Sequence, residues 1–485
     1  MKINRYKNYN EANNTLDAYL DGAKYGVVGH FTNYPLYSKN MMGNPIDVLK
    51  TGLDLSNISG MYIHWPFCYL PFGIEKCDFC MCNTKNDTES VSLRNEYFQS
   101  ILKEIELYSS FMQNSVLEWV YIGGGTPLTM SALELDQLFT LMKEKRLVNK
   151  DTYISIESRP EVITEKKVNV LKKHHVKRIS IGVESFNEKT LVEMGRIRSG
   201  LNYYEIVQKA VSMIENAGIP YFNLDFLYSH PNDDFETVLD SIEKGIDFLP
   251  NSFAIYPLGL PYNRTEIEKN IGELELKPLD FRYKCYVAIN ELLEKNGYKA
   301  VSDSIWSKDD MYSHKSVTNK DNSILNFWNQ TCSFPDGNWM PVGVGSIGFI
   351  EGFGSVSNTY SMSQYIELIA QGKLGIVKGE QNSIEQLMRG FLVISILHRI
   401  IDIDNFTEKF GYNPLEVFNI EFNILKQKEL VDISNNEIIL TPKAIPLSQG
   451  IARFFLSKDD EELYRKSEQL RVDYKFYNVS YQGLK

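Results

Sequence analysis

From Met61 onward, short β-branched or aromatic runs alternate with helix-like segments, and this alternation restricts the fold more than any other feature. The runs are Met61–Trp65, Glu118–Ile122, Tyr153–Glu157, Arg178–Val183, Tyr221–Tyr228 and Ser252–Tyr256. Helix-like periodicity fills the intervals near 93–113, 131–146, 164–174, 202–217 and 235–248. Right-handed strand–helix–strand units in series build a parallel sheet, and six of them can curl into a partial barrel. The expected class is α/β, a TIM-like partial (β/α)6 barrel. Such barrels place their chemistry on the loops after the strands. Here Cys68 follows the first run, Gly123-Gly124-Gly125-Thr126 the second, Glu157 ends the third, and Asp225 lies late in the fifth.

At 485 residues the chain has room for about three domains by the usual ~150 residues each. Residues 1–55 are polar and aromatic with weak periodicity and read as an N-terminal arm or cap. The barrel is expected over 56–275. A connector over 276–378 holds a helix-like stretch, 278–296, then Trp306, Trp328, Trp339 and the run Gly343-Val344-Gly345-Ser346-Ile347-Gly348. Residues 379–485 read as mostly helical, with a β-like pair at Leu430–Ile433 and Glu437–Thr441, which suits a small winged-helix-like domain. Lys+Arg 51 against Asp+Glu 62 gives a net charge of −11, which argues against a chain built to grip nucleic acid or anionic membranes. No run approaches the ~18 apolar residues of a membrane span, and MKINRYKNYN has no apolar signal core. The expectation is a cytoplasmic monomer.

Four of the six cysteines lie between Cys68 and Cys82, spaced C-x8-C-x2-C-x-C. In a reducing compartment such a cluster is a metal site rather than a disulfide framework. Thiolates hold iron–sulfur clusters. If three of them hold a four-iron cube, one iron stays open to the amine and carboxylate of a small molecule. A structural four-cysteine zinc site is the alternative. Cys285 and Cys332 read as buried thiols, and His174-His175 as an exposed helix end.

Tyr62-Ile63-His64-Trp65-Pro66-Phe67-Cys68 with Cys77-Asp78-Phe79-Cys80-Met81-Cys82 resembles the signature of the radical S-adenosylmethionine (SAM) superfamily. More narrowly it resembles the oxygen-independent coproporphyrinogen III oxidase (coproporphyrinogen dehydrogenase) family. Gly123-Gly124-Gly125-Thr126-Pro127, Glu157-Ser158-Arg159-Pro160, Arg178-Ile179-Ser180-Ile181-Gly182-Val183-Glu184-Ser185-Phe186, Gly195-Arg196 and Asn223-Leu224-Asp225 follow in the same order. The likeness covers roughly residues 30–350, beginning faintly at Phe31-Thr32-Asn33-Tyr34-Pro35. Three departures stand out. The first two cysteines are separated by eight residues, Tyr69 to Lys76, where the family has three; a longer loop is thermodynamically mild. Glu184 replaces the usual Gln, and Ser229-His230-Pro231 replaces Gly-Leu-Pro.

The resemblance implies a [4Fe-4S] cluster on Cys68, Cys77 and Cys80, with Cys82 an additional cysteine; Cys77, Cys80 and Cys82 form the rival ligand set. It implies one or two SAM molecules. Gly124, Gly125 and Thr126 would offer backbone groups to the methionine part, against a simple strand-to-helix turn. Glu157 would contact SAM, against an internal pair with Arg178, and Arg196 would take its carboxylate. Asp225 suits ribose hydroxyls or a substrate. Tyr62 resembles a cluster-side contact, Phe79 an adenine or cluster cover, and Glu184 a ribose contact. Leu258 and Phe349 align with pocket-lining positions. His64, His230 and Cys82 are the candidates for catalysis.

In activity, the resemblance implies a radical SAM oxidoreductase. A 5′-deoxyadenosyl radical would abstract hydrogen from an organic substrate, such as a tetrapyrrole propionate undergoing oxidative decarboxylation. A flavodoxin or ferredoxin would supply the electron. The long cysteine loop and the Ser229-His230 change move weight toward relatives that use two SAM molecules: a C-methyltransferase or cyclopropanase, or an anaerobic haem-opening enzyme. A haem chaperone with a retained cluster is the non-enzymatic reading. That branch typically lacks the last cysteine and much of the N-terminal arm, both present here.

Overall fold

The computed structural model describes residues 5–25, 58–71, 74, 77, 80, 85–86, 91–110, 112, 116–230, 233–258, 281–308, 338–350, 353–379 and 381–462. Phe79, Cys82, Trp328 and Cys332 lie outside the described residues. The chain divides into two compact units, one of residues 37–256 and 336–381, the other of 1–36, 257–335 and 382–485.

The first unit is built on β1 (Ile58–Trp65), β2 (Trp119–Gly124), β3 (Tyr153–Ser158), β4 (Arg178–Glu184), β5 (Tyr221–Tyr228) and β6 (Ser252–Pro257). Neighbouring pairs from β1 to β5 are parallel, and β6 follows β5 in the sheet. Between them run α1 (Val91–Ser109), α2 (Ala132–Glu144), α3 (Glu165–Lys173), α4 (Tyr203–Ala217) and α5 (Phe235–Ile246). Caps fix these helices. Ser131 and Glu134 form a capping box at α2, while Asn202 and Asp234 side chains accept from the first turns of α4 and α5. The strands are largely buried, with apolar residues such as Ile154, Ile156, Ile179 and Ile181 alternating with polar ones such as Ser155, Glu157, Arg178 and Ser180; in β1 every residue but Tyr62 is buried.

The sheet continues beyond β1. β7 (Asn338–Val342) pairs parallel to β1, with Gly60 opposite Trp339 and Ile63 opposite Val342. β8 (Ile347–Ile350), β9 (Gly354–Asn358) and β10 (Ile376–Gly379) then follow antiparallel, giving the order β10-β9-β8-β7-β1-β2-β3-β4-β5-β6. The glycine-rich run 343–348, read from sequence as part of a connector, makes the turn from β7 into β8, with Gly343 and Gly345 at φ +93° and +67°. A buried carboxylate fastens this extension. Glu104 on α1 accepts from the amides of Gly343 (2.9 Å) and Gly375 (2.8 Å) and from the Tyr365 hydroxyl (2.6 Å).

In the second unit, helix Tyr9–Tyr25 stands where a weakly periodic arm was expected, burying Ala12, Leu16 and Tyr19. Arg5 donates to the carbonyls of Arg453 (3.0 Å) and Leu456 (2.7 Å). Strand Ile400–Asp402, helices Ile403–Phe410 and Asn419–Gln427, and the hairpin Val431–Ile433/Glu437–Leu440 follow in winged-helix order. Cys285 is buried in helix Phe281–Lys295. Among the described residues no helix is long and apolar enough to cross a membrane.

Candidate functional site

Register decides which side chains share the barrel interior. Tyr62 is opposite Tyr121, Tyr121 opposite Ser155, Ser155 opposite Arg178; Glu157 is opposite Ser180, Ser180 opposite Asn223, and Gly182 opposite Asp225. Alternation places these residues on one face. The interior is therefore polar from its middle to the carboxyl ends of the strands. Lower down it is filled: the Trp119 ring lies where a Cβ on Gly60 would sit, 1.9 Å away.

At the carboxyl end of β1, Cys68, Cys77 and Cys80 gather with Leu70 and Ile74 in one cluster. The Cys80 amide donates to the Cys77 carbonyl (3.0 Å). Burial, then the neighbouring Cys80 and Cys77, push the Cys68 thiol up to about 12, against the hydrogen bond from Thr126. Burial also raises Cys77, opposed first by Arg196 and then by Arg159. Arg159 ties the pocket together, donating to the carbonyls of Tyr69 (2.8 Å) and Arg196 and pairing with Glu161 (2.6 Å). Among the described residues no three His, Cys, Asp or Glu side chains close around a single-ion position. A four-iron cube takes its thiolates at separate corners, so its ligands stand further apart than those of one ion.

The glycine motif after β2 packs against this pocket. A Cβ on Gly125 would meet the Phe67 carbonyl at 2.7 Å and Cys68 Sγ at 2.9 Å, and one on Gly124, at φ +111°, the His64 ring at 2.7 Å. The amides of Gly124, Gly125 and Thr126 donate to Glu157 (3.0 Å), the Trp65 carbonyl (2.7 Å) and the Phe67 carbonyl (2.8 Å). These glycines thus hold the cysteine loop, His64 and Glu157 close to the main chain.

Three carboxylates and two guanidinium groups line the interior. Half-buried Glu157 accepts from the Tyr121 hydroxyl and the Gly124 amide, and burial raises it above the usual carboxylate range. β4 ends in a register break between Gly182 and Glu184, with Glu184 at φ +69°. Bulges of this kind re-aim a side chain; the Glu184 carboxylate lies 3.3 Å from Arg196 Nη2, and Arg196 also donates to the Gly182 carbonyl. Burial raises Glu184 as well, opposed by Arg196. Asp225 is pushed up to about 7 by burial and then by Glu184, against Arg178. Arg178 is fully buried and donates to Ser155 (3.2 Å).

The structure brings together Tyr62, the three cysteines, Gly124 to Thr126, Glu157, Glu184, Arg196 and Asp225. His64 joins them through Nδ1, 3.1 Å from the Tyr62 hydroxyl. His230 is buried in the loop after β5, where its amide donates to Asp233 (2.8 Å). Leu258 follows β6 directly and is buried. Phe349 stands apart: it packs on Trp339 (5.5 Å), level with Gly60 at the amino end of β1, away from the strand ends that carry the other residues. Sequence reasoning missed Tyr121, which stacks on Tyr62 at 5.9 Å and holds Glu157, and gave Arg159 no role. Tyr121 is two residues before Gly123 on β2 and opposite Tyr62, so strand alternation was the available signal.

The Radical SAM superfamily matches residues 62–269. Over that stretch the chain resembles a radical SAM domain. Oxygen-independent coproporphyrinogen III oxidase from Paracoccus denitrificans is 23% identical over 89% of this chain and 92% of its own length. Heme chaperone HemW from Lactococcus lactis is 24% identical over 84% of this chain and 99% of its own. Among solved structures, coproporphyrinogen III oxidase (HemN) from Escherichia coli shares the fold, with a TM-score of 0.74 at 18% identity over 89% of this chain and 97% of the other. A radical SAM domain implies SAM and a [4Fe-4S] cluster. Three clustered thiols, Cys68 and Cys77 buried and Cys80 partly so, beside Arg196 and Arg159 fit such a cluster, and the adjoining carboxylate-lined interior fits a cationic ligand.

Proposed function

We propose that this protein is a radical SAM oxidoreductase of the coproporphyrinogen III oxidase-like kind, acting on a tetrapyrrole propionate or a related organic substrate. The observation that carries this reading is the charge of the barrel interior: Glu157, Glu184 and Asp225 outnumber Arg178 and Arg196 beside a three-thiol pocket. Buried carboxylates that raise one another toward protonation are relieved by a cation, and SAM carries a sulfonium and an ammonium. Cys68, Cys77 and Cys80 would hold the cluster. Glu157 would receive the ammonium, Arg196 the carboxylate, and Asp225 a ribose hydroxyl. The Gly124–Thr126 turn would keep the ligand against the main chain. Bound together, cluster and SAM supply one-electron cleavage of the sulfonium and hydrogen abstraction from the substrate. The protein's part is orientation and exclusion of water. A flavodoxin- or ferredoxin-type donor supplies the electron.

Two departures support keeping the methyl-transferring relatives as a second enzymatic reading: the acid at Glu184 and buried Ser229 at φ +68° after β5. HemW relatives of similar identity support the chaperone reading. Anaerobic reconstitution followed by incubation with SAM and reductant separates the three. 5′-Deoxyadenosine alone supports the oxidase; S-adenosylhomocysteine in addition supports methyl transfer. Tight haem binding with neither product supports the chaperone and refutes the main reading.

A further inference from the structure

One hydrogen-bonded group inside the barrel has no part in the roles above. Asn223 and Ser252 are fully buried and Ser180 nearly so. The Ser252 hydroxyl donates to Asn223 Oδ1 (2.7 Å). Asn223 Nδ2 donates to Ser180 Oγ (3.0 Å) and to Asp225 Oδ1 (2.6 Å), and Ser180 Oγ donates to Asp225 Oδ2 (3.0 Å). Both amide hydrogens of Asn223 are thus used. When Asp225 is ionised it only accepts, so the NH2 end of Asn223 then faces Asp225, and the Ser252 hydroxyl holds the other end. Every donor in the chain, across β6, β5 and β4, points toward Asp225. Apolar residues would fill the same core positions without needing partners.

We infer that Ser180, Asn223 and Ser252 form a positioning array that fixes one edge of the Asp225 carboxylate so that its remaining oxygen lone pairs read the hydroxyls of a sugar-bearing ligand. The inference rests on the radical SAM reading, in which that sugar is the ribose of SAM. Asp225 itself is only partly buried and borders the interior. Its donors favour the ionised acceptor, against the burial and the Glu184 charge that oppose it.

The test uses the full chain, reconstituted anaerobically, with SAM and its 2′-deoxyadenosyl analogue as paired probes in equilibrium dialysis. A hydrogen bond to a charged group corresponds to about a tenfold preference for SAM in the unmutated protein. Ser252→Ala and Ser180→Ala should each reduce that preference to about twofold, and Ser252→Thr, which keeps the hydroxyl, should restore it. Iron content and melting temperature, read in parallel, identify any variant that fails to fold. If the alanine variants weaken both probes equally, the array is merely structural and the inference is overturned. It is also overturned if the unmutated protein does not prefer SAM. An iron-loaded protein that binds neither probe overturns the radical SAM reading itself.

Discussion

Glu157 offers a way to separate folding from ligand binding at a single carboxylate. It accepts two hydrogen bonds, from the Tyr121 hydroxyl and from the Gly124 amide at 3.0 Å. Replacement by Ala leaves two donors without their acceptor. Both bonds are only part-buried, so at the low end of the about 1–3 kcal/mol for each unsatisfied group, Glu157→Ala should destabilise the barrel unit by about 2 kcal/mol. For a unit of this size that corresponds to a fall of roughly 4–8 °C in melting temperature. Glu157→Gln is different. Its carbonyl can keep the Gly124 amide, and its NH2 can donate to the Tyr121 oxygen, which accepts as readily as it donates. Burial already opposes the charge at Glu157, so losing it should change stability by less than about 1 kcal/mol. The charge matters when a cation sits beside it. Losing one charge-assisted hydrogen bond should weaken SAM binding by roughly 10- to 100-fold. Circular dichroism melting and equilibrium dialysis on the reconstituted protein read the two quantities separately. If Glu157→Gln binds SAM as tightly as the unmutated chain, Glu157 is not the ammonium contact. If it melts as low as Glu157→Ala, the hydrogen-bond argument fails.

Arg159→Ala should lower iron per chain after reconstitution, because it releases the carbonyls of Tyr69 and Arg196 that hold the cysteine loop; full iron loading would contradict that anchoring role. Gly60→Ala should destabilise by about 1–3 kcal/mol in urea unfolding, since its Cβ would fall 1.9 Å from the Trp119 ring, and Trp119→Leu should recover part of the loss. Asp225, pushed up to about 7, holds a proton in the folded state that the unfolded chain releases near pH 4. Its share of stability is therefore complete below about pH 4 and is lost as pH rises to about 7. Asp225→Asn should flatten the fall in urea midpoint between pH 5 and pH 8, and an unchanged slope would refute the assignment.

What the sequence made legible was what has a local period. The six strands, their five helices and the hairpin around Ser434-Asn435-Asn436 fall within a few residues of expectation, because β-branched runs and helical spacing act over short stretches. β7 carries no such signal: five residues, one of them Pro341, become a strand only because β1 is waiting beside them, some 280 residues earlier in the chain. Glu104 was visible in principle as an acid between Ile101, Leu102, Ile105 and Tyr108 on the buried face of α1, yet its partners Gly343, Asn358, Tyr365 and Gly375 lie more than 200 residues away, where no spacing rule connects them. The site divides the same way. Cysteines, glycines and Glu157 announce themselves by type and place at strand ends. Glu184 stood out by the motif it sits in, but not by its direction, which comes from a register break and a φ of +69° that an acidic residue does not advertise. The consequence is chemical. With Gln at that position Arg196 would face a neutral neighbour; with Glu184 at 3.3 Å it faces a charge that also raises Asp225. Glu184→Gln should therefore lower the pH at which Asp225 ionises while leaving its donors, Ser180 and Asn223, in place. An NMR titration of the Asp225 carboxyl carbon that did not move in Glu184→Gln would show that the two acids are not coupled.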